Sequence, residues 1–298
     1  EKWAIKAAKH GKHILCEKPL ARNSGEAERI LRAAEKAGIL HMVGFNFRFV
    51  PAVMHAKKLI DEGYIGKLFH FRGVYHSVEM GEEGFVNPNE PVNWHMNKDI
   101  AGSGALHDLG THVLDMARLL MGEPVSVSAA SQTFIKERPV SEGSDEKCKV
   151  TVDDATVAAI KFANGALGTF EASWMTPGRK DYVGFEINGS RGSLRFNVEN
   201  MNELEVYSTE DRRDLVGFKN VLTTAKMHPT MDRYWPYQGT AFGWEYSFIN
   251  QTAHLVDSII NEKPIEPIGP TFYDGYRNCL IMDAILRSAD KGTWETIS

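Results

Sequence analysis

Two short runs and the helix between them decide how this chain is read: His13-Ile14-Leu15-Cys16-Glu17-Lys18-Pro19, and Ile39-Leu40-His41-Met42-Val43-Gly44-Phe45-Asn46-Phe47-Arg48-Phe49-Val50-Pro51. The first is apolar and bounded by Gly11 and Pro19, which predicts a buried strand ending in Glu17-Lys18-Pro19. Asn23, with Glu26 three residues on, predicts a capping box, and Ile30, Leu31, Ala34 and Ala37 form the apolar stripe of a helix ended by Gly38. Ile39 to Val43 predicts a second buried strand, and Pro51 the first turn of a helix that stops at Gly63. Upstream, Glu1 to His10 is helical in pattern, with Gly11 as its stop. Helix, strand, helix, strand, helix is the order of a parallel sheet with crossover helices.

The pattern changes after Gly66. Leu68 to Val78 predicts a long strand, residues 81–103 an irregular stretch, and Gly104 to Leu120 a helix ending at Gly122. From Val125 onward strands dominate. Asn164-Gly165 predicts a type I′ hairpin between Thr156–Phe162 and Leu167–Trp174, since that turn needs positive φ at both central positions. Asn188-Gly189 predicts a second hairpin, Glu203–Tyr207 a further strand, residues 209–244 a long loop, and two helices close the chain near 245–261 and 274–290. The fold class is therefore an α/β fragment followed by a larger α+β domain with an open, mostly antiparallel sheet.

Composition bounds the function. The 298 residues carry 34 Lys and Arg against 39 Asp and Glu, a net charge of −5, so no basic nucleic-acid footprint is present. No apolar run reaches the roughly 20 residues of a membrane span. Cys16, Cys148 and Cys279 are too few and too far apart for a disulfide framework, which fits a reducing, cytoplasmic compartment.

Lys18 stands at the carboxyl end of a parallel strand, where open α/β sheets place ligands; taken alone it also reads as an exposed loop lysine. The stretch Gly102-Ser103-Gly104-Ala105-Leu106-His107-Asp108-Leu109-Gly110-Thr111-His112 offers small residues for close backbone approach to a ligand at a helix start. Asp108 and His112, four apart, share a helix face, where a carboxylate can fix an imidazole's tautomer for general base work; the bland reading is two polar groups on a surface helix. Gly110 is costly inside a helix unless something packs close. His107 and His112 point about 140° apart at 100° per residue, so no metal site is expected. Asn93, Trp94, His95, Trp174, Arg179, His228, Tyr234, Trp235, Tyr237 and Tyr246 supply ring faces and hydrogen-bonding groups suited to carbohydrate, or plain core. No G-x-G-x-x-G occurs.

Residues 7–21, 43–51 and 102–115, with Phe272-Tyr273-Asp274-Gly275-Tyr276 and the Asp283 to Ala289 segment, together resemble the glucose–fructose oxidoreductase, inositol dehydrogenase and rhizopine catabolism (Gfo/Idh/MocA) family. The resemblance spans the chain in order. It implies that residues 1–45 are the remnant of a Rossmann dinucleotide-binding domain and 46–298 a substrate-binding and oligomerisation domain. It also implies that roughly 90 residues bearing the glycine-rich turn would precede Glu1. The implied activity is a NAD- or NADP-dependent oxidation of a sugar or cyclitol hydroxyl. Lys18, Asp108 and His112 match the family's catalytic residues, with His112 as base, Lys18 stabilising the developing oxyanion and Asp108 orienting. Glu17, Lys18, Pro19 and Arg48 match positions near the cofactor, and Trp94, His95, Asp115 and Trp174 are assigned to the substrate wall. Within the family, the Phe45 to Phe49 run and Asn93-Trp94-His95 look most like dehydrogenases of pyranose-type sugars. The expected partners are a small carbohydrate or cyclitol and further copies of the chain, as a dimer or tetramer. Two rival readings are a glycosidase using transient oxidation by a held NAD, and a non-catalytic sugar sensor.

Overall fold

The computed structural model describes residues 1–78, 86–234 and 237–298. Trp235 lies outside the described residues. The elements run α1 (Lys2–Lys9), β1 (Ile14–Cys16), α2 (Ser24–Ala37), β2 (His41–Val43), α3 (Pro51–Asp61), β3 (Leu68–Ser77), α4 (Lys98–Ala101), α5 (Thr111–Met121) and β4 (Pro124–Gln132). Then come β5 (Glu137–Pro139), β6 (Lys147–Lys149), β7 (Ala155–Phe162), β8 (Leu167–Ser173), β9 (Asp181–Gly189), β10 (Gly192–Asn197), β11 (Glu203–Ser208) and β12 (Lys219–Leu222). The chain closes with α6 (Glu245–Ile260), α7 (Phe272–Lys291) and β13 (Glu295–Thr296). No helix is long and apolar enough to cross a membrane among the described residues.

β1 and β2 pair in parallel, Leu15 opposite Met42, as the alternation predicts. The second sheet has nine strands in the order β12-β11-β10-β9-β3-β8-β7-β4-β13. β3 and β8 run parallel and the other neighbours antiparallel, so the sheet is mixed and open. Along each strand alternate residues turn to one face, and there Phe71, Ile160, Phe170, Phe185, Ile187 and Leu194 are buried. α5 covers that face, with Val113 against β3. The other face carries Arg72, Glu171, Arg195 and Glu205 and no covering helix among the described residues. The core does not break at residue 45: Ile30 and Ala34 of α2 belong to one buried cluster with Ile281 and Ile285 of α7, and α2 packs on α7.

Several local expectations are corrected. Asn23 does cap α2, accepting from the Glu26 N–H at 2.9 Å, but the Glu26 carboxylate turns to the Arg22 N–H and guanidinium, so the box is half made. At the β7–β8 connection only Gly165 has positive φ (+87°). Asn164 instead donates to the Met121 carbonyl at 2.8 Å, which gives a longer loop with one left-handed glycine rather than a type I′ turn. Asn188 and Gly189 lie inside β9; the turn falls at Ser190-Arg191, whose N–H groups donate to the carbonyls of Lys67 and Ile65 at 2.9 Å. β12 sits within the expected loop 209–244, an edge strand whose mostly exposed residues show no apolar alternation to betray it.

The helix expected from Gly104 starts as a π-helical turn, Leu106–Gly110, before α5 proper. Asp153 gathers the start: its carboxylate accepts from the N–H groups of Gly104 (2.8 Å) and Leu106 (2.9 Å), the Ser103 hydroxyl and the Thr156 hydroxyl (2.9 Å). The glycines here make room for protein rather than ligand. A Cβ on Gly104 would meet the Asp153 carbonyl at 2.0 Å, and one on Gly110 would meet Phe170 Cζ at 2.6 Å. Phe170 is fully buried. Gly110→Ala should therefore destabilise by about 1–3 kcal/mol despite alanine's better helix propensity, read as a lowered melting temperature. A raised melting temperature would show that the ring gives way.

Candidate active site

Three segments distant in sequence meet where β1 ends. Lys18, the residue after Glu17 at that strand end, joins Pro19 through a cis peptide bond. Its ammonium donates to the Asp108 carbonyl at 2.6 Å and to Asp108 Oδ1 at 2.8 Å. The other carboxylate oxygen of Asp108 accepts from Trp174 Nε1 at 3.3 Å. The strand end, the π turn and the end of β8 are thus joined through one carboxylate, and the side chains of Lys18 and Asp108 keep partial exposure.

His112 lies in the first turn of α5 and is 6% exposed. Aromatic rings wall it: Phe47 edge-on at 4.9 Å, Tyr75 at 6.0 Å and Phe45 at 6.2 Å between centroids. Its Nδ1 is enclosed and no protein group hydrogen-bonds the ring among the described residues. Burial first, and then the nearby Lys18 ammonium, hold its pKa well below the ordinary imidazole range, so the ring is neutral at neutral pH. The expected carboxylate–imidazole pair of Asp108 and His112 is not formed. The Asp108 carboxylate is taken by Lys18 and Trp174. In a π turn the pairing is i to i+5, so residues four apart no longer stack on one face as in an α-helix.

His107 points the other way. It is buried, its Nε2–H donates to the Arg22 carbonyl at 3.1 Å, and burial lowers its pKa. Among the described residues no three His, Cys, Asp or Glu side chains are grouped to hold a metal. His95 stacks on Trp94 with ring centroids 3.5 Å apart. Partial burial lowers its pKa while the Asp108 charge opposes and Lys18 assists, which places His95 in electrostatic reach of both. Trp94 itself is 57% exposed. Glu17 is exposed at the strand end, its carboxylate lying over Gly44, where a Cβ would come within 3.0 Å of Oε2. Arg179 stacks over Tyr182 and His228 packs against His55.

The sequence reading gave Arg48 to the cofactor and Asp115 to the substrate wall; the structure pairs them with each other, 3% and 1% exposed. Arg48 Nε and Nη2 donate to Asp115 Oδ2 and Oδ1 at 2.7 and 2.6 Å, and Nη2 also reaches Asp274 Oδ1 at 3.1 Å. Arg118 donates to the same Asp274 oxygen at 2.9 Å and to Glu123, which also accepts from Arg277. Burial pushes the Asp115 carboxyl up against the pull of Arg48, whereas for Asp274 the guanidiniums of Arg48 and Arg118 outweigh burial and hold it down. Asp274 also closes a capping box with Thr271 at the start of α7. Sequence reasoning missed Asp153, Arg118, Tyr75 and Asp181, because a single charged or phenolic residue has no spacing signature; the Thr271-x-x-Asp274 spacing of the capping box could have pointed to Asp274.

Residues 53–195 match the GFO/IDH/MocA C-terminal domain, and residues 1–45 match an oxidoreductase family with an NAD-binding Rossmann fold. The chain is 42% identical to levoglucosan dehydrogenase of Pseudarthrobacter phenanthrenivorans over 98% of its own length and 75% of that protein. It is 28% identical to myo-inositol 2-dehydrogenase of Thermotoga maritima over 70% of this chain and 56% of that one. A solved structure of levoglucosan dehydrogenase with NADH and levoglucosan superimposes with a TM-score of 0.92 at 42% identity, covering 99% of this chain and 77% of that one.

The buried ion pair gives a direct test. Arg48→Met leaves Asp115 buried without its partner and should cost about 3–5 kcal/mol in urea unfolding. The double variant Arg48→Met, Asp115→Leu should recover most of that loss; equal losses in single and double variants would show that the pair is not the brace.

Proposed function

Because the chain belongs to the Gfo/Idh/MocA family of oxidoreductases, we propose that it transfers a hydride between a hydroxyl carbon of a sugar or cyclitol and a nicotinamide nucleotide, NAD or NADP. The observation that carries this reading is a neutral, aromatic-walled His112 beside an ammonium held by Asp108. Residues 1–45 would serve the nucleotide and 46–298 the substrate. The exposed carboxylate of Glu17 and the partly exposed Lys18 and Pro19, gathered at a parallel strand end, fit a group rich in hydroxyl and amide functions and would hold it; Arg48 is buried and engaged with Asp115 and Asp274. When bound, the nicotinamide supplies the hydride acceptor.

His112 takes the hydroxyl proton at Nε2, since Nδ1 is enclosed. The O–H bond breaks as the carbon loses hydride and the carbonyl forms. The Lys18 ammonium donates to the same oxygen as its charge develops, and two acceptors on Asp108 fix the ammonium in place. Trp174 holds Asp108 from the far side, and His95 with Trp94 presents ring faces beside them.

In the intact gene product, levoglucosan is the first substrate to try and myo-inositol the second, read by nicotinamide absorbance. His112→Ala and Lys18→Met should each lower kcat by about 10²- to 10⁴-fold with the circular dichroism spectrum unchanged. Because the His112 pKa is depressed, the base form persists as pH falls. The rate should therefore stay level through the ordinary imidazole value of about 6.5 and drop only below it. A break at the ordinary value would remove His112 from the base role. Release of free sugar without net nicotinamide reduction would indicate the glycosidase, and sugar binding without turnover the sensor.

The uncovered sheet face, with Val157 exposed among charged residues, is proposed to join copies of the chain as a dimer or tetramer. Light scattering at micromolar concentration should give a multiple of the protomer mass; a monomer overturns this.

A further inference from the structure

Tyr75 and Asp181 form a second polar pair beside the cluster, with no role in the steps above. The Tyr75 hydroxyl donates to Asp181 Oδ1 at 2.6 Å. The register explains why they meet. Tyr75 pairs with Val183 and Ser77 with Asp181, so Asp181 lies one pleat beyond Tyr75 on the same face of the β3–β9 ladder. That is the face α5 covers, and Tyr75 is 8% exposed there with its ring 6.0 Å from His112. Phe47 packs edge-on against both rings, 6.1 Å from Tyr75 and 4.9 Å from His112.

Asp181 itself is exposed, and its second oxygen, Oδ2, has no hydrogen-bond donor among the described residues. On the other flank of β3, His76 pairs with Ser173 of β8, so Trp174 follows on beside Ser77, and the Thr176 N–H donates to the Ser77 carbonyl at 3.2 Å. Trp174 and Asp181 therefore stand abreast at one end of the sheet with Ser77 between them, roughly 10 Å apart at two strand spacings. Trp174 holds Asp108. The opposite flank offers a carboxylate oxygen and a phenol oxygen. Burial, and then Asp181, keep the Tyr75 hydroxyl protonated far beyond the ordinary tyrosine range, and the charge of Asp108 adds to this. With its proton committed to Asp181, the phenol oxygen keeps its capacity to accept.

We propose that Tyr75 and Asp181 are a further substrate-positioning pair, accepting hydrogen bonds from a hydroxyl of the sugar other than the one oxidised. The ligand class is a polyhydroxylated ring with at least one free hydroxyl besides that on the reacting carbon. This rests on the dehydrogenase reading. A carboxylate that accepts from a sugar hydroxyl strengthens ground state and transition state alike, so its loss appears in binding and not in kcat.

The test uses the intact gene product, levoglucosan and its monodeoxy analogues, with calorimetric Kd and turnover measured side by side. Asp181→Asn, at an exposed position, should weaken levoglucosan binding roughly ten- to hundred-fold in both Kd and KM while kcat moves less than about twofold. Tyr75→Phe, which keeps the ring that packs on Phe47, should weaken it in the same direction. One monodeoxy analogue should bind wild type poorly and lose nothing further in Asp181→Asn. Unchanged Kd in both variants, or a fall in kcat alone, overturns the pair's role. So does an equal further loss for every analogue. Wild-type protein that binds levoglucosan but does not oxidise it, with the Asp181→Asn loss intact, sinks the dehydrogenase reading and leaves the pair standing. Protein that neither binds nor oxidises levoglucosan or myo-inositol sinks both.

Discussion

Arg48 cannot be buried without its partners, and that constraint organises the structure around the site. A guanidinium removed from water costs several kcal/mol unless its donors are met, and here Asp115 meets two of them and Asp274 a third. The acceptors stand on different helices, α5 and α7, while Arg48 stands on the short helical turn 46–49 after β2. Satisfying one side chain therefore fixes the mutual position of three segments. Arg118 and Glu123 extend the same chain of charges, so Asp274 is shared between two guanidiniums and stays ionised in spite of its burial. Phe45 and Phe47 are carried on the arginine's own segment, and they are the rings that wall His112. The ion pair and the imidazole's dry surroundings are two sides of one packing arrangement.

Inside those walls the electrostatics divide cleanly. His112 and Lys18 are two groups that could both carry positive charge in a confined space, and low polarity makes simultaneous charge expensive. Asp108 offers the ammonium two oxygens, whereas the imidazole has no acidic partner and stays neutral. On the proposed reading, His112 as base and Lys18 as oxyanion stabiliser stand side by side with the imidazole already neutral. Asp108 is best understood through what it holds. Its carboxylate is spent on Lys18 and Trp174, and the π turn is what aims it there instead of at His112.

The large sheet does for the rim what the ion pair does for the floor. Because side chains alternate faces with a period of two, the register of β8, β3 and β9 sets Trp174, Ser77 and Asp181 in a row, with Tyr75 one step beneath. A shift of a single residue in the β3–β9 ladder would turn Asp181 to the uncovered face and leave the Tyr75 hydroxyl buried and unpaired. The glycines at the other side of the site serve the same precision. Gly104 and Gly110 let the π turn lie directly on Asp153 and Phe170, which a side chain would prevent.

The sequence by itself determined the alternation of helices and strands through Asp61, the strand end that presents Lys18, and the glycine-relieved start of the helix bearing Asp108 and His112. Each follows from interactions a few residues apart, which periodicity, caps and turn residues record. It also foresaw that something must pack on Gly110. Only the tertiary structure decided which polar groups face the site. Arg48 and Asp115 are 67 positions apart and Arg48 and Asp274 226, and nothing local distinguishes a charge that will be buried in a pair from one left open to a ligand. Asp108 was assigned to the wrong partner for the same reason, since an ordinary helix and a π turn cannot be told apart until Asp153 and Phe170 press on the chain from elsewhere in the fold. Spacing fixes what one segment presents; burial, register and ion pairing depend on what other segments bring to it, and those are decided only when the whole chain packs.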